Sequence, residues 1–212
     1  MTRILDLLDS DLGKTIISGV SNQTGQKESK TGSVLTMAMP VLMQAMKRNA
    51  SNSQGAEGLL GALKSKHDGS ILDDLGGLFA GGVDSKVMND GEKILGHVLG
   101  NKQQNVTNAL SMKSGMDANS VAEILKVAAP ILMGFLGKQQ REKQISNQSG
   151  LEGLLGGLLS GNSPNQEQSF LESMLDADGD GSVIDDVAGM VLGGNKNKSG
   201  LGGLLGGIFG KK

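Results

Sequence analysis

Three aspartates at alternate positions, followed by a glycine, form the most chemically specific pattern in this sequence. Asp176, Asp178 and Asp180 lie in the stretch LDADGDGSVIDDVAGM, residues 175–190. Calcium takes six to eight oxygen ligands, and a twelve-residue EF-hand loop supplies them from positions 1, 3, 5, 7, 9 and 12. Counted from Asp176, the aspartates hold positions 1, 3 and 5, and Gly181 holds position 6, where such a loop turns sharply.

The second half of this loop departs from the EF-hand pattern. Position 7 is Ser182, which would contribute its carbonyl oxygen, but position 12 is Val187 instead of a bidentate glutamate. We expect Asp186, ahead of Asp185, to close the site if the following helix begins slightly early. The sequence therefore predicts a weak Ca²⁺ site, with a Kd of about 10⁻⁴ M. Its expected ligands are Asp176, Asp178, Asp180, Ser182 and Asp186.

The same stretch also permits an interpretation without metal, as a solvated acidic turn before a helix. Ser182 and Asp185 have the spacing of a capping box, in which each side chain accepts from a backbone N–H at the helix start. Neither side chain needs a cation for that role. Capping leaves unexplained why three aspartates crowd together at the start of the stretch.

An earlier stretch, HDGSILDD at 67–74, helps to separate the two interpretations. It keeps the predicted capping box as Ser70 and Asp73, but it has Lys64 and Lys66 where the later stretch has two aspartates. Helix capping is thus expected in both stretches, whereas the full set of calcium ligands occurs only in the later one. We hypothesise that a lysine ammonium partly replaces the cation beside the earlier stretch.

Three blocks of sequence recur in the same order along the chain. AMPVLMQAM (38–46) matches AAPILMGFL (128–136), GAEGLLGAL (55–63) matches GLEGLLGGL (150–158), and HDGSILDDLGGLFAGG (67–82) matches GDGSVIDDVAGMVLGG (179–194). We interpret the blocks as two homologous helical units, 1–83 and 84–195, followed by a Gly/Leu-rich tail at 196–212.

The elements that carry these motifs are predicted to be helices. Apolar residues recur at three- and four-residue spacings, which is typical of helices with one buried face. One helix is expected to begin the chain, with a loop at 22–33. Pro40 and Pro130 lie inside apolar runs, and we expect each to kink a helix that continues on both sides. The apolar face of the first helix comprises Ile4, Leu7, Leu8, Leu12, Ile16 and Val20.

The blocks also carry a family resemblance. GLLG followed by DGSxxDD, in a Gly- and Leu-rich helical chain, resembles the bacterial family of unknown function that includes the YidB-like proteins. The resemblance covers both predicted units and is most specific at DGSxxDD. It implies an all-α fold and a bacterial origin, and it implies no established activity.

Composition narrows the classes of function. The net charge is −2 and only 2% of the residues are aromatic, so the chain lacks the basic patches and stacking platforms of nucleic-acid-binding proteins. It contains no cysteine, which excludes disulfides and thiol chemistry. Its first residues do not resemble a signal peptide, so a cytoplasmic location is expected. Its two histidines are expected to be a solvated turn residue, His67, and a residue of a helix surface or core, His97.

The function expected from these features is a non-enzymatic structural or interaction protein. No nucleophile, base and orienting acid can be assembled with any specificity. The protein is expected to form a homo-oligomer or dock on partners through the segment SGLGGLLGGIFGKK, 199–212, with a calcium-stabilised loop. A membrane surface is a less favoured partner, because the tail has no basic face or aromatic anchors. The alternative is a small-molecule or lipid-binding protein with a Met- and Leu-lined cavity between the two units.

Overall fold

The computed structural model describes residues 4–159, and helices account for most of this part of the chain. The expected all-α fold is confirmed, since these residues contain no strand. Two short 3-10 turns, Ser70–Leu72 and Gly100–Lys102, lie among the helices. The helices are α1 (Ile4–Asp9), α2 (Asp11–Thr24), α3 (Glu28–Asn49), α4 (Ser53–Ser65), α5 (Leu75–Phe79), α6 (Ser85–Leu99), α7 (Gln103–Ser114), α8 (Ala118–Glu142) and α9 (Gln148–Leu159).

Two long helices, α3 and α8, form the centre of the fold. Every residue of 38–43 in α3 and of 127–137 in α8 is buried. A helix that is apolar on all sides is stable in water only when other elements surround it. Pro40 and Pro130 lie within these buried stretches, and each helix continues on both sides of its proline, as expected.

The apolar run at the start of the chain forms two helices instead of the single one expected. Ser10 separates them: its hydroxyl donates to the carbonyl of Leu7 at 2.6 Å and accepts from the N–H of Gly13 at 3.2 Å. A Cβ at Gly13 would overlap backbone atoms of Leu7 and Leu8, so glycine permits this corner. The predicted apolar face is otherwise correct, with Leu12 half-buried and the other members buried.

The loop expected at 22–33 is much shorter in the structure. Helix α2 continues to Thr24, and α3 begins at Glu28. Gly25 ends α2 with a φ of 65°, the left-handed conformation in which glycine commonly terminates helices. The polar residues on either side of this glycine are helical, so their polarity marks exposed helix surface.

Several local geometries recur at a constant offset of 90 residues. Helices α2 and α7 both end immediately before a left-handed glycine, and the next helix begins three residues after that glycine in both places. A serine hydroxyl in each of these helices donates to a backbone carbonyl five residues later. The paired residues are Gly25 and Gly115, Glu28 and Ala118, Pro40 and Pro130, Ser21 and Ser111, and Gln26 and Met116.

One hydrophobic core spans the predicted boundary at 83/84. Helix α3 packs against α8 and α9, and α2 packs against α8. The buried apolar residues of 4–159 form one cluster to which all these helices contribute. Residues 4–83 and 84–159 are therefore joined through a shared core, and the proposed unit boundaries stay a prediction.

Two glycines of α8 allow a turn of the chain to approach the helix closely. The turn runs from His67 to Leu72 and lies across Gly134 and Gly137. A Cβ at Gly137 would overlap the carbonyl oxygen of His67, and one at Gly134 would overlap the side chain of Ile71. Only glycine at these two positions permits the observed contact.

We predict that Gly137→Ala destabilises the fold. The added methyl group must displace the backbone of the 67–72 turn or of α8, and overpacking of this kind costs about 1–3 kcal/mol. Gly153→Ala is the matched control, because Gly153 is also helical but its Cβ would meet no atom within 4 Å. The control should gain up to about 1 kcal/mol of stability from helix propensity. Urea unfolding of both variants measures the difference, and equal stabilities would contradict the close approach.

Candidate functional site

The predicted calcium loop lies outside the described residues. This applies to all five expected ligands, Asp176, Asp178, Asp180, Ser182 and Asp186, and to the tail at 196–212. Between residues 4 and 159, no group of three or more histidines and carboxylates could hold a metal ion. The Ca²⁺ site therefore stays a prediction.

The earlier acidic turn is described, and an arginine provides its cation. One carboxylate oxygen of Asp68 accepts from the N–H of Ser70 at 3.1 Å, and the other lies 3.9 Å from the guanidinium of Arg141. Hydrogen bonds from Ser70, with a smaller contribution from Arg141, hold the pKa of Asp68 below its usual value. The ion pair that the structure gives Asp68 is with Arg141 of α8, and the hypothesis that a lysine ammonium partly replaces the cation stays a prediction.

The capping box expected at Ser70 and Asp73 is also wrong. Gly69 adopts a φ of 106°, and a 3-10 turn begins at Ser70 without a side-chain cap. The next helix, α5, starts at Leu75, and its N-cap is Asp74, whose carboxylate accepts from the N–H of Gly77 at 2.7 Å. The intervening 3-10 turn thus moves the helix start beyond the position that the capping pattern indicates.

A groove of about 720 Å³ lies between α4 and α6. Its floor includes Met46 of α3 and Met133 of α8, and its apolar walls include Leu59, Ile94 and Val98. Since α4 and α6 lie on opposite sides of the predicted boundary at 83/84, the groove lies between the two predicted units. The sequence does not reveal this groove.

Both histidines of the chain line this groove. His67 is buried, with 8% of its surface exposed, so the expectation of a solvated turn histidine is wrong. The turn folds back onto Gly137 of α8, which places the imidazole at the bottom of the groove. The sequence carries one signal of this burial, which is the pair of glycines, Gly134 and Gly137, within an apolar helix. His97 lies exposed on the surface of α6, and a helix surface is one of the two positions expected for it.

The electrostatic surroundings of His67 favour its neutral form. Its Nε2 lies 3.7 Å from a carboxylate oxygen of Asp90. Burial lowers the pKa of His67; the Asp90 carboxylate opposes this shift, and the Lys66 ammonium adds to it. The imidazole is therefore uncharged near neutral pH, and the groove combines an apolar floor with charged groups along its edges.

One helix of the described part, Ala118–Glu142, is long and apolar enough to cross a membrane. The most apolar run at its centre, 127–137, is by itself too short to span a bilayer of about 30 Å. The structure buries 78% of the helix's apolar window. Such burial is what the central helix of a folded domain shows.

We predict that the free energy of unfolding decreases as the pH falls below about 6.5, the usual pKa of histidine. Below this pH the unfolded chain binds a proton that buried His67 resists. The contribution of neutral His67 to the free energy of unfolding is therefore complete above this pH and is lost as the pH falls through the folded-state pKa. His67→Gln should remove this component between about pH 5 and 7. His97→Gln, at an exposed position of the same groove, should retain it. Urea unfolding at several pH values tests the prediction, and identical pH profiles for wild type and His67→Gln would contradict it.

Comparison with known proteins identifies a family. The family model DUF937, described as bacterial protein of unknown function, matches residues 6–139 and 141–212. No curated protein and no solved structure matches the chain. The match covers nearly the whole chain, including the predicted acidic loop, and the resemblance to YidB-like proteins agrees with it. The chain therefore belongs to the bacterial family of unknown function DUF937.

Proposed function

We propose that the protein is a non-enzymatic interaction protein that self-associates through its Gly/Leu-rich segments. The observation that carries this proposal is the packing of two such segments, α4 and α9, against each other within the described fold. The side-chain amide of Gln148, in the first turn of α9, joins this helix to the start of α4: it donates to the carbonyl of Ser51, just before α4, at 3.1 Å and accepts from the hydroxyl of Ser53 at 3.4 Å. Gly/Leu-rich helices in this chain thus pair with one another.

The leucine faces of α4 and α9 are already used by the core. Leu60 and Leu63 of α4 are buried, and so are the leucines of α9 at 151, 154, 155 and 158. The opposite faces carry exposed glycines around which there is open space: a Cβ at Gly61 or Gly153 would meet no atom within 4 Å. Each such glycine weakens its helix by about 1 kcal/mol relative to alanine. Close approach of another helix would give these positions a packing role.

The tail carries the same pattern and is the segment proposed to make that approach. Residues 199–212 read SGLGGLLGGIFGKK, which repeats the GLLGG of α9. We propose that the tail of one copy packs against the glycine faces of another, which would produce a homo-oligomer.

We also propose that the chain consists of two homologous units. The recurring helix ends, left-handed glycines and serine hydrogen bonds at an offset of 90 residues support this proposal. Duplication would explain why two Gly/Leu-rich helices are present to pair. It would also explain why the acidic DGSxxDD stretch occurs twice.

Calcium is proposed to order the second acidic stretch. The support is the set of three aspartates at 176, 178 and 180, whose mutual repulsion a cation would relieve. The counterpart of Asp186 in the first stretch is Asp74, which caps a helix. Capping and calcium ligation therefore compete as roles for Asp186, and a variant at this position distinguishes them.

We predict that light scattering detects an oligomer for the full chain and a monomer for the Leu204→Glu, Leu205→Glu variant. Two carboxylates in the apolar tail would have to be buried without partners on association. A chain ending at Lys198 should also be monomeric. Asn197→Glu, a change in the polar part of the tail, is the control and should remain oligomeric. A monomeric wild type, or an unchanged mass in the double variant, would refute self-association through the tail.

Calorimetric titration with Ca²⁺ should show one weak site in the wild type, with a Kd on the order of 10⁻⁴ M. Asp178→Ala should give no binding heat, because a central ligand is lost. Asp186→Asn should weaken binding, whereas Asp185→Asn, the neighbouring control, should not. If the wild type itself gives no heat, the calcium site is wrong; if only Asp185→Asn weakens binding, the closing ligand is misassigned.

A further inference from the structure

We infer that the groove between α4 and α6 binds a single-chain anionic amphiphile. The alkyl chain would lie on the methionine floor, and the head group would lie at the cationic edge formed by Lys66 and Lys93. This ligand site goes beyond the proposed self-association and does not depend on it, because its residues all belong to the described fold and none belongs to the tail.

The size and floor of the groove suit a flexible alkyl chain. Ligand pockets commonly enclose about 300–1,000 Å³, and this groove encloses about 720 Å³. Met46 and Met133 are only 1% and 3% exposed, and they approach the floor from the two central helices. Methionine side chains adapt to irregular apolar ligands because they are unbranched and polarizable. Leu59 on α4 and Val98 on α6 are half-buried, so apolar surface on both walls remains available.

Glycine keeps one wall of the groove open. Gly58 lies on the groove side of α4, is exposed, and has no atom within 4 Å of the position that a Cβ would occupy. A larger residue here would project into the space that the ligand is proposed to occupy. The corresponding glycine of α9 is Gly153, which is equally open but lies outside the groove.

The charges at the edges of the groove select an anion. Lys93, exposed on α6, and Lys66, exposed at the end of α4, both line the groove. In the described part of the chain, neither lysine forms an ion pair with a carboxylate. Asp90, the carboxylate of the lining, faces His67. Ammonium groups form strong charge-assisted hydrogen bonds to carboxylate or phosphate oxygens.

The same charges disfavour the chain's own tail as the occupant. The apolar residues 201–209 are followed by Lys211 and Lys212, and the tail contains no carboxylate side chain. If the tail occupied the groove, the ammonium groups of Lys211 and Lys212 would lie near those of Lys66 and Lys93. An amphiphile with a negative head group satisfies both the apolar floor and the cationic edge.

Calorimetric titration of the full-length protein with dodecanoate, dodecyl phosphate and uncharged dodecyl glucoside tests this inference, each below its aggregation concentration. We expect at least one of the two anionic amphiphiles to bind with one-to-one stoichiometry. The uncharged one should bind about tenfold more weakly or not at all, because it cannot pair with the lysines. The anion that binds more tightly identifies the head group as carboxylate or phosphate. Absence of binding by both anions, or equal affinity for the uncharged amphiphile, overturns the inference.

Two pairs of variants locate the site. Gly58→Leu should abolish binding by filling the groove, whereas Gly153→Leu, the same change at the corresponding position of α9, should leave it unchanged. Lys93→Glu should weaken binding about three- to tenfold, since attraction becomes repulsion at a partly solvated site. Lys86→Glu makes the same charge change on α6 outside the groove and should have little effect. If Gly58→Leu does not fold, the lysine pair decides; equal affinities within that pair place the ligand elsewhere and refute the site.

Discussion

The mutual burial of α3 and α8 is the constraint on which the rest of the described structure depends. Both helices are apolar on all sides around their prolines, so each needs neighbours on every side. Helices α1, α2, α4, α6, α7 and α9 each pack against α3, α8 or both. With no tryptophan or tyrosine in the chain, the space between these helices is filled mainly by leucine, valine, alanine, isoleucine and methionine. Close contacts then rely on glycine, as at Gly91, where a Cβ would overlap the backbone of Lys126.

One such contact connects the core to the candidate site. Because Gly134 and Gly137 let the 67–72 turn lie directly on α8, the turn carries His67 into the fold instead of into solvent. The imidazole then faces Asp90 of α6 and defines the bottom of the groove. A change at Gly137 would therefore affect the stability of the fold and the shape of the groove together. The methionines of the floor are core residues too, so the proposed ligand would contact the same two helices that organise the fold.

The sequence is sufficient to predict the helical class, the two proline-containing helices and most of the buried face of residues 4–20, because these depend on periodicity along the chain. It fails where a single hydrogen bond decides the outcome, as at Ser10, which interrupts an otherwise continuous apolar pattern. It fails also where contacts are distant in sequence. His67 is buried by α8, some 70 residues away, and Arg141 reaches Asp68 from the same helix. The groove arises from α4 and α6, and neither helix alone carries a pattern that indicates it.

The two acidic stretches differ in what is available to order them. The first packs on Gly134 and Gly137, and its Asp68 lies beside Arg141. At the offset of 90 residues, the corresponding positions of α3 and the residues after it are Gln44, Lys47 and Ser51. They provide neither the space of glycine nor an arginine. On the proposal of two units, the second stretch would therefore lack the glycine surface on which the first one packs, and a calcium ion bound by Asp176, Asp178 and Asp180 would supply order in its place. The loss of the glycine contact and the gain of the aspartates would then be two parts of one proposed substitution, in which a cation replaces a helix surface.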